Sequence, residues 1–110
     1  MSENKTNILF ICSKNQWRSP TAENIWRRSD EWSVRSAGTS SKARKTVSAR
    51  DIQWADIIFV MEDKHKSRLK ADFARHLQFK RLHVLDIPDE YQYMDPDLIE
   101  ELQARVEAFV

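Results

Sequence analysis

Two runs of consecutive apolar residues, Ile8-Leu9-Phe10-Ile11 and Ile57-Ile58-Phe59-Val60-Met61, constrain the fold of this chain more than anything else in it. Neither run alternates with polar residues. A strand with one wet face would alternate, so these segments read as strands covered on both faces, the signature of a parallel sheet. Two mixed runs, Trp32-Ser33-Val34-Arg35 and Leu82-His83-Val84-Leu85-Asp86-Ile87, suit the edges of the same sheet.

Helical patterns fill the intervals. Residues 20–29 place Ala22, Ile25 and Trp26 on one face after Ser19-Pro20, where Ser19 reads as the cap and Pro20 as the first turn. Ser48 with Asp51 three residues on reads as a capping box ahead of Ile52 and Trp54. Leu69, Phe73 and Leu77 recur at helical spacing within 63–77. A last helix opens at Asp95-Pro96 and aligns Leu98, Ile99, Leu102, Val106, Phe109 and Val110. The order β-α-β-α-β-α-β-α predicts a three-layer α/β fold: a four-stranded parallel sheet with helices on both faces. A chain of 110 residues without a linker or repeat is expected to form one domain, 1–110.

Composition removes several function classes. Eighteen Lys+Arg against 17 Asp+Glu leave a net charge of +1, which gives no bulk reason to expect nucleic-acid or membrane partners. Gly38 is the only glycine, where about eight would be usual at this length. Walker and dinucleotide loops need several, so both are excluded. One Cys forbids an internal disulfide, and His65, His76 and His83 form no metal pattern, so neither metal nor cofactor is expected. Those histidines read as surface or strand-edge residues, Trp26, Trp32 and Trp54 as core. Met1-Ser2-Glu3-Asn4-Lys5 lacks an apolar signal core, so the expected location is the cytoplasm. The sequence is silent on oligomeric state, with a monomer the default.

Ligands of open α/β sheets sit beyond the C-terminal strand ends. There the first strand gives way to Cys12-Ser13-Lys14-Asn15-Gln16-Trp17-Arg18-Ser19-Pro20. Five residues between Cys and Arg can curl the backbone so that its N–H groups converge on an anion at a helix start. Arg18 can fork onto two oxygens of a phosphoryl group. Cys12, under the same positive field, is placed to act as a thiolate nucleophile. Spacing alone also allows a small buried Cys at a strand end.

With its surroundings, this loop resembles that of the low-molecular-weight protein tyrosine phosphatases, whose signature is close to V-C-x-G-N-x-C-R-S-P. Ser36-Ala37-Gly38-Thr39 resembles the family's S-A-G-T, Trp54 to Met61 its third-strand pattern, and Ile87-Pro88-Asp89-Glu90-Tyr91 the stretch that carries its general acid. The resemblance implies that Cys12 attacks phosphorus and forms a phosphocysteine, while Arg18 holds the phosphoryl oxygens. Ser13, Lys14, Asn15, Gln16, Trp17, Arg18 and Ser19 then form the phosphate-binding loop. Ser19 donates to the sulfur, Asn15 and Ser36 brace the loop, and Asp89 protonates the leaving oxygen before activating water. Asp86 and Asp95 are the rival acids, the latter better read as a helix cap. Trp17 and Tyr91 are expected to flank the pocket and sandwich an aryl ring, although Trp17 would equally serve as filler for missing chain. The implied substrate is a phosphotyrosine protein or a small aryl phosphate.

The chain departs from the pattern at four places. Lys14 stands at the family's loop Gly, Trp17 at its second Cys, Glu90 at the Pro after the acid, and chain is missing between Thr39 and Ala43. Two other activities fit the same fold: a thiol-coupled arsenate reductase, and a phosphate- or phosphopeptide-binding module without turnover.

Overall fold

A computed structural model describes residues 5–110; residues 1–4, on which the expectation about the N-terminal segment falls, lie outside it. The elements run β1 (Thr6–Cys12), α1 (Arg18–Trp26), β2 (Trp32–Gly38), α2 (Ala49–Trp54), β3 (Ile57–Val60), α3 (Asp63–Leu77), β4 (Arg81–Val84) and α4 (Pro96–Glu107). All strand pairs are parallel, in the order β2-β1-β3-β4. The two apolar runs are the central strands and the two mixed runs the edges, as their patterns predict.

Side chains of a strand alternate between faces, and β1 divides accordingly. Ile8, Phe10 and Cys12 join Ala22 of α1 and Leu98, Leu102 and Val106 of α4 on one side of the sheet. Leu9 and Ile11 join Ile52 of α2 and Leu69 of α3 on the other. All of these are buried. Trp26 stacks on Phe10 with ring centroids 5.5 Å apart, and Trp32 packs against Trp26. Trp54 covers the opposite core, with the Arg35 guanidinium 4.2 Å above its ring. His83 lies on the edge strand, stacked on Phe109 at 4.2 Å.

Two helix ends differ from expectation. Helix α1 begins at Arg18, with Trp17 in the cap position and no side-chain cap. Ser19 is therefore not the cap; its hydroxyl is engaged elsewhere, as described below. Helix α4 ends at Glu107, so Phe109 and Val110 leave the apolar stripe and are exposed. The capping box at Ser48 and Asp51 forms as read, and Asp95 caps α4 by accepting from the Asp97 amide at 2.9 Å.

The strand order reverses beside β1: β2 lies on one side of it, β3 and β4 on the other. Such a reversal opens a crevice at the strand's C-terminal end. That end is Cys12.

Candidate active site

The loop from Cys12 to Arg18 is shaped by its neighbour. The segment after β2 donates to it residue by residue: Thr39 N–H to the Cys12 carbonyl (3.0 Å), Ser40 N–H to Ser13 (3.0 Å), Arg44 N–H to Lys14 (2.9 Å) and Arg44 Nε to Asn15 (3.0 Å). Four successive carbonyls are thus drawn outward. In a trans peptide the carbonyl and the following N–H point opposite ways, so the N–H groups of residues 13–16 are left on the pocket side. This is the physical content of an anion nest.

Gly38 permits the approach. A Cβ there would stand 2.5 Å from the Ser13 carbonyl oxygen and 2.7 Å from the Ala43 Cβ. Its requirement is space. The left-handed residue of the loop is Asn15 (φ 55°), a residue type that tolerates that region. Lys14, at the family's glycine position, has no positive φ and is exposed, so its side chain is accommodated.

Beneath the loop runs a buried polar chain. The Glu23 carboxylate accepts from Ser36 Oγ. Carboxylates only accept, so Ser36 spends its proton there and must itself accept from Asn15 Nδ2, at 2.9 Å. The same amide nitrogen donates to Ser19 Oγ at 2.8 Å. Ser19 keeps its own proton for Cys12 Sγ, 3.0 Å away, with the Ala37 carbonyl a longer alternative at 3.3 Å. The chain therefore leaves the Ser19 hydroxyl free to donate to the sulfur.

Arg18 is buried, and its Nη1 is held by Glu62 Oε1 (2.6 Å) and the Ile87 carbonyl (2.8 Å). With Nη1 anchored, the opposite edge of the guanidinium, Nε and Nη2, remains for a bound oxyanion. Burial pulls the Glu62 carboxyl upward, but the Arg18 hydrogen bond and charge, with Lys64 and His65, outweigh it and leave its pKa below the ordinary value.

His65 is a correction to the sequence reading. It is buried at the start of α3, where its Nδ1 accepts from the Glu62 amide at 3.0 Å. The proton of the neutral ring then sits on Nε2, which donates to Ser13 Oγ at 2.8 Å. Burial and then the Arg18 charge, with Lys64 adding to them and Glu62 opposing, push its pKa down to about 4. No motif announces the contact with Ser13, a partner 52 positions away. Glu23, Arg44 and Glu62 were missed for the same reason.

A cavity of about 80 Å³ is bounded by Cys12, Ser13, Lys14, Gln16, Trp17, Arg18 and Asp89. Asp89 Oδ1 stands 3.7 Å from Arg18 Nε and the side chain is half exposed. It is the only carboxylate on this cavity among the described residues. Asp86 is exposed, with a left-handed backbone (φ 61°), and Asp95 is the cap of α4; neither reaches the cavity.

Trp17 is 42% exposed and forms part of the rim, so it does not fill missing chain. Tyr91 does not join it. It packs against the core beside α4, where burial and then Glu101, Glu90, Asp97 and Asp95 hold its phenol above the usual range. Tyr93 instead shares a second cavity with Trp17.

Residues 7–53 match the family model described as low molecular weight phosphotyrosine protein phosphatase. No curated protein sequence matches the chain. Among solved structures, a low-molecular-weight protein tyrosine phosphatase from Streptococcus pyogenes superposes with a TM-score of 0.74 at 18% identity, over 96% of this chain and 93% of that one. The chain has the fold of the low-molecular-weight protein tyrosine phosphatases. The tyrosine phosphatase Wzb from Escherichia coli K30, solved with phosphate, gives a TM-score of 0.74 at 18% identity, covering 96% of each chain. An arginine phosphatase, YwlE from Geobacillus stearothermophilus, gives 0.66 at 21% identity, over 93% of this chain and 88% of that one. The resemblance to low-molecular-weight phosphatases read from the sequence is borne out, and Cys12 stands at the head of the loop after β1.

Proposed function

We propose that the chain, read as one domain, is a cysteine-dependent phosphate monoester hydrolase acting on phosphotyrosine in protein, or on a small aryl phosphate. The observation that carries this reading is the convergence on one small cavity of Cys12, the free edge of Arg18 and Asp89. Cys12 Sγ attacks phosphorus as a thiolate, supported by the Ser19 hydroxyl, and the bond to the ester oxygen breaks. Asp89 gives that oxygen its proton, so the alcohol leaves neutral. The phosphoryl oxygens sit against the loop N–H groups and Arg18. Water then attacks the phosphocysteine, losing its proton to Asp89, and phosphate departs as the thiolate is restored. A cytoplasmic setting suits a lone catalytic thiol, which is kept reduced there.

A binding module needs the cavity but not a nucleophile with an acid facing it. An arsenate reductase of the internal-relay kind needs further cysteines, and Cys12 is the only one in the sequence.

The acid is tested by leaving-group dependence. Asp89→Asn is expected to slow an alkyl or phenyl phosphate by about 10²–10⁴-fold while barely affecting a nitrophenyl ester, whose oxygen leaves without help. Asp86→Asn is expected to change neither. If Asp86→Asn shows the dependence and Asp89→Asn does not, the assignment is wrong.

A further inference from the structure

Beside the catalytic cavity, and sharing Gln16 and Trp17 with it, lies a larger one of about 470 Å³. That is within the range of sites that hold a small ligand or several side chains, about 300–1,000 Å³. It runs along α1 past Pro20, Glu23 and Asn24 to Arg27, with Arg44 and Tyr93 facing in from the two neighbouring loops. Nothing in the reaction described above uses it.

Its charge is one-sided. Arg27 has no carboxylate within ion-pair distance among the described residues, whereas Arg18, Arg35, Arg68 and Arg105 each have one. Arg44 spends Nε on the Asn15 carbonyl and keeps its outer nitrogens, likewise without a carboxylate. The one acid present, Glu23, accepts the Ser36 proton and is committed to the network under Cys12. Two guanidinium forks thus face a groove whose single carboxylate is already engaged. The rims are aromatic: Trp17 is 42% and Tyr93 49% exposed, and the Tyr93 oxygen accepts from Asn24 at 2.8 Å, leaving its proton to donate.

We propose that this groove binds the peptide flanking the phosphorylated residue and selects carboxylate side chains there, through Arg27 and Arg44. The inference rests on the phosphatase reading above and narrows its substrate to acidic phosphopeptides. Planar carboxylates pair with guanidinium forks through two bonds at once. Arg27, the C-cap of α1, follows Arg18 at its start by nine residues, about 13 Å along the helix axis at 1.5 Å per residue. An extended peptide advances about 3.3–3.6 Å per residue, so the selected acids lie within about four positions of the phosphorylated one.

The test uses two phosphotyrosyl peptides, one with glutamates at the third and fourth positions on both sides, the other with glutamines there. Wild type is expected to favour the acidic peptide by about tenfold in kcat/KM at low salt, with the preference shrinking as salt screens it. Arg27→Gln is expected to cut that ratio to about threefold or less, and Arg44→Gln likewise. The same ratio is read as Kd with Cys12→Ser, so it does not depend on turnover. Equal kcat/KM or Kd for the two peptides, or a ratio untouched by Arg27→Gln, overturns the inference. Wild type hydrolysing p-nitrophenyl phosphate with no peptide preference sinks the groove alone. Failure to hydrolyse that ester sinks the phosphatase reading, and the Kd ratio then decides the groove separately.

Discussion

Beneath Cys12 the hydrogen-bond chain ends on a carboxylate, Glu23. Because Glu23 takes the Ser36 proton, Ser36 is left to accept from Asn15 Nδ2, which donates to Ser19 as well, and the Ser19 hydroxyl stands 3.0 Å from Sγ. On the other side of the loop, the Glu62 amide fixes the tautomer of His65, which then holds Ser13. That burial carries a pH signature. The His65 pKa falls from 6.5 to about 4 on folding, so between those values the unfolded chain binds the extra proton and stability rises with pH. Its contribution is complete above pH 6.5 and lost as pH falls to about 4, on the order of 3 kcal/mol in all. Glu62, lowered as well, loses its contribution with acid in the same sense, below its ordinary value of 4.5. Denaturant melts of wild type from pH 7 to pH 4 should therefore show falling stability, and His65→Asn should flatten the slope above pH 4.5. An unchanged slope in the variant would place the proton uptake elsewhere. Cys12, Arg18, Asn15, Ser19 and Ser36 were legible because they sit in short motifs. His65, Glu62 and Glu23 were not, since their partners lie 13 to 52 residues away and nothing local marks the contact.

The loop from Cys12 to Arg18 is an element made by two segments. Residues 39–44 pull its carbonyls outward, and Gly38 lets the segments touch. Gly38→Ala must displace backbone at Ser13, an overpacking expected to cost about 1–3 kcal/mol. Because the strained atoms belong to the loop itself, kcat/KM should fall at least tenfold at temperatures where the variant is fully folded. A destabilised variant with wild-type kcat/KM would show that the segment after β2 does not shape the pocket. The strands were legible from polarity alone: continuous apolar runs for β1 and β3, mixed ones for β2 and β4. The start of α1 was not, because Ser19-Pro20 is a common cap sequence and here the Ser hydroxyl serves the sulfur instead. The part that residues 39–45 play was not legible for a related reason. Three of their four contacts to the loop are made by backbone N–H groups, which carry no side-chain signature.

Over the whole molecule, the sheet order puts Cys12 at the one point where consecutive strands diverge, and the loops after β2 and β4 close around it. Tyr91 shows where motif position misleads. Its place two residues after Asp89 suggested a wall, but it packs, half-buried, against the core beside α4, and Tyr93 lines the neighbouring groove. In the proposed function the cavity of about 80 Å³ serves the chemistry and the groove of about 470 Å³ the recognition. The central claim is that Cys12 performs the chemistry. Hydrolysis of p-nitrophenyl phosphate in EDTA, wild type beside Cys12→Ser, tests it most directly. The account predicts turnover by wild type, its loss in the variant, and vanadate binding retained by both. No turnover in a folded, reduced wild type, or turnover that survives Cys12→Ser, would contradict it.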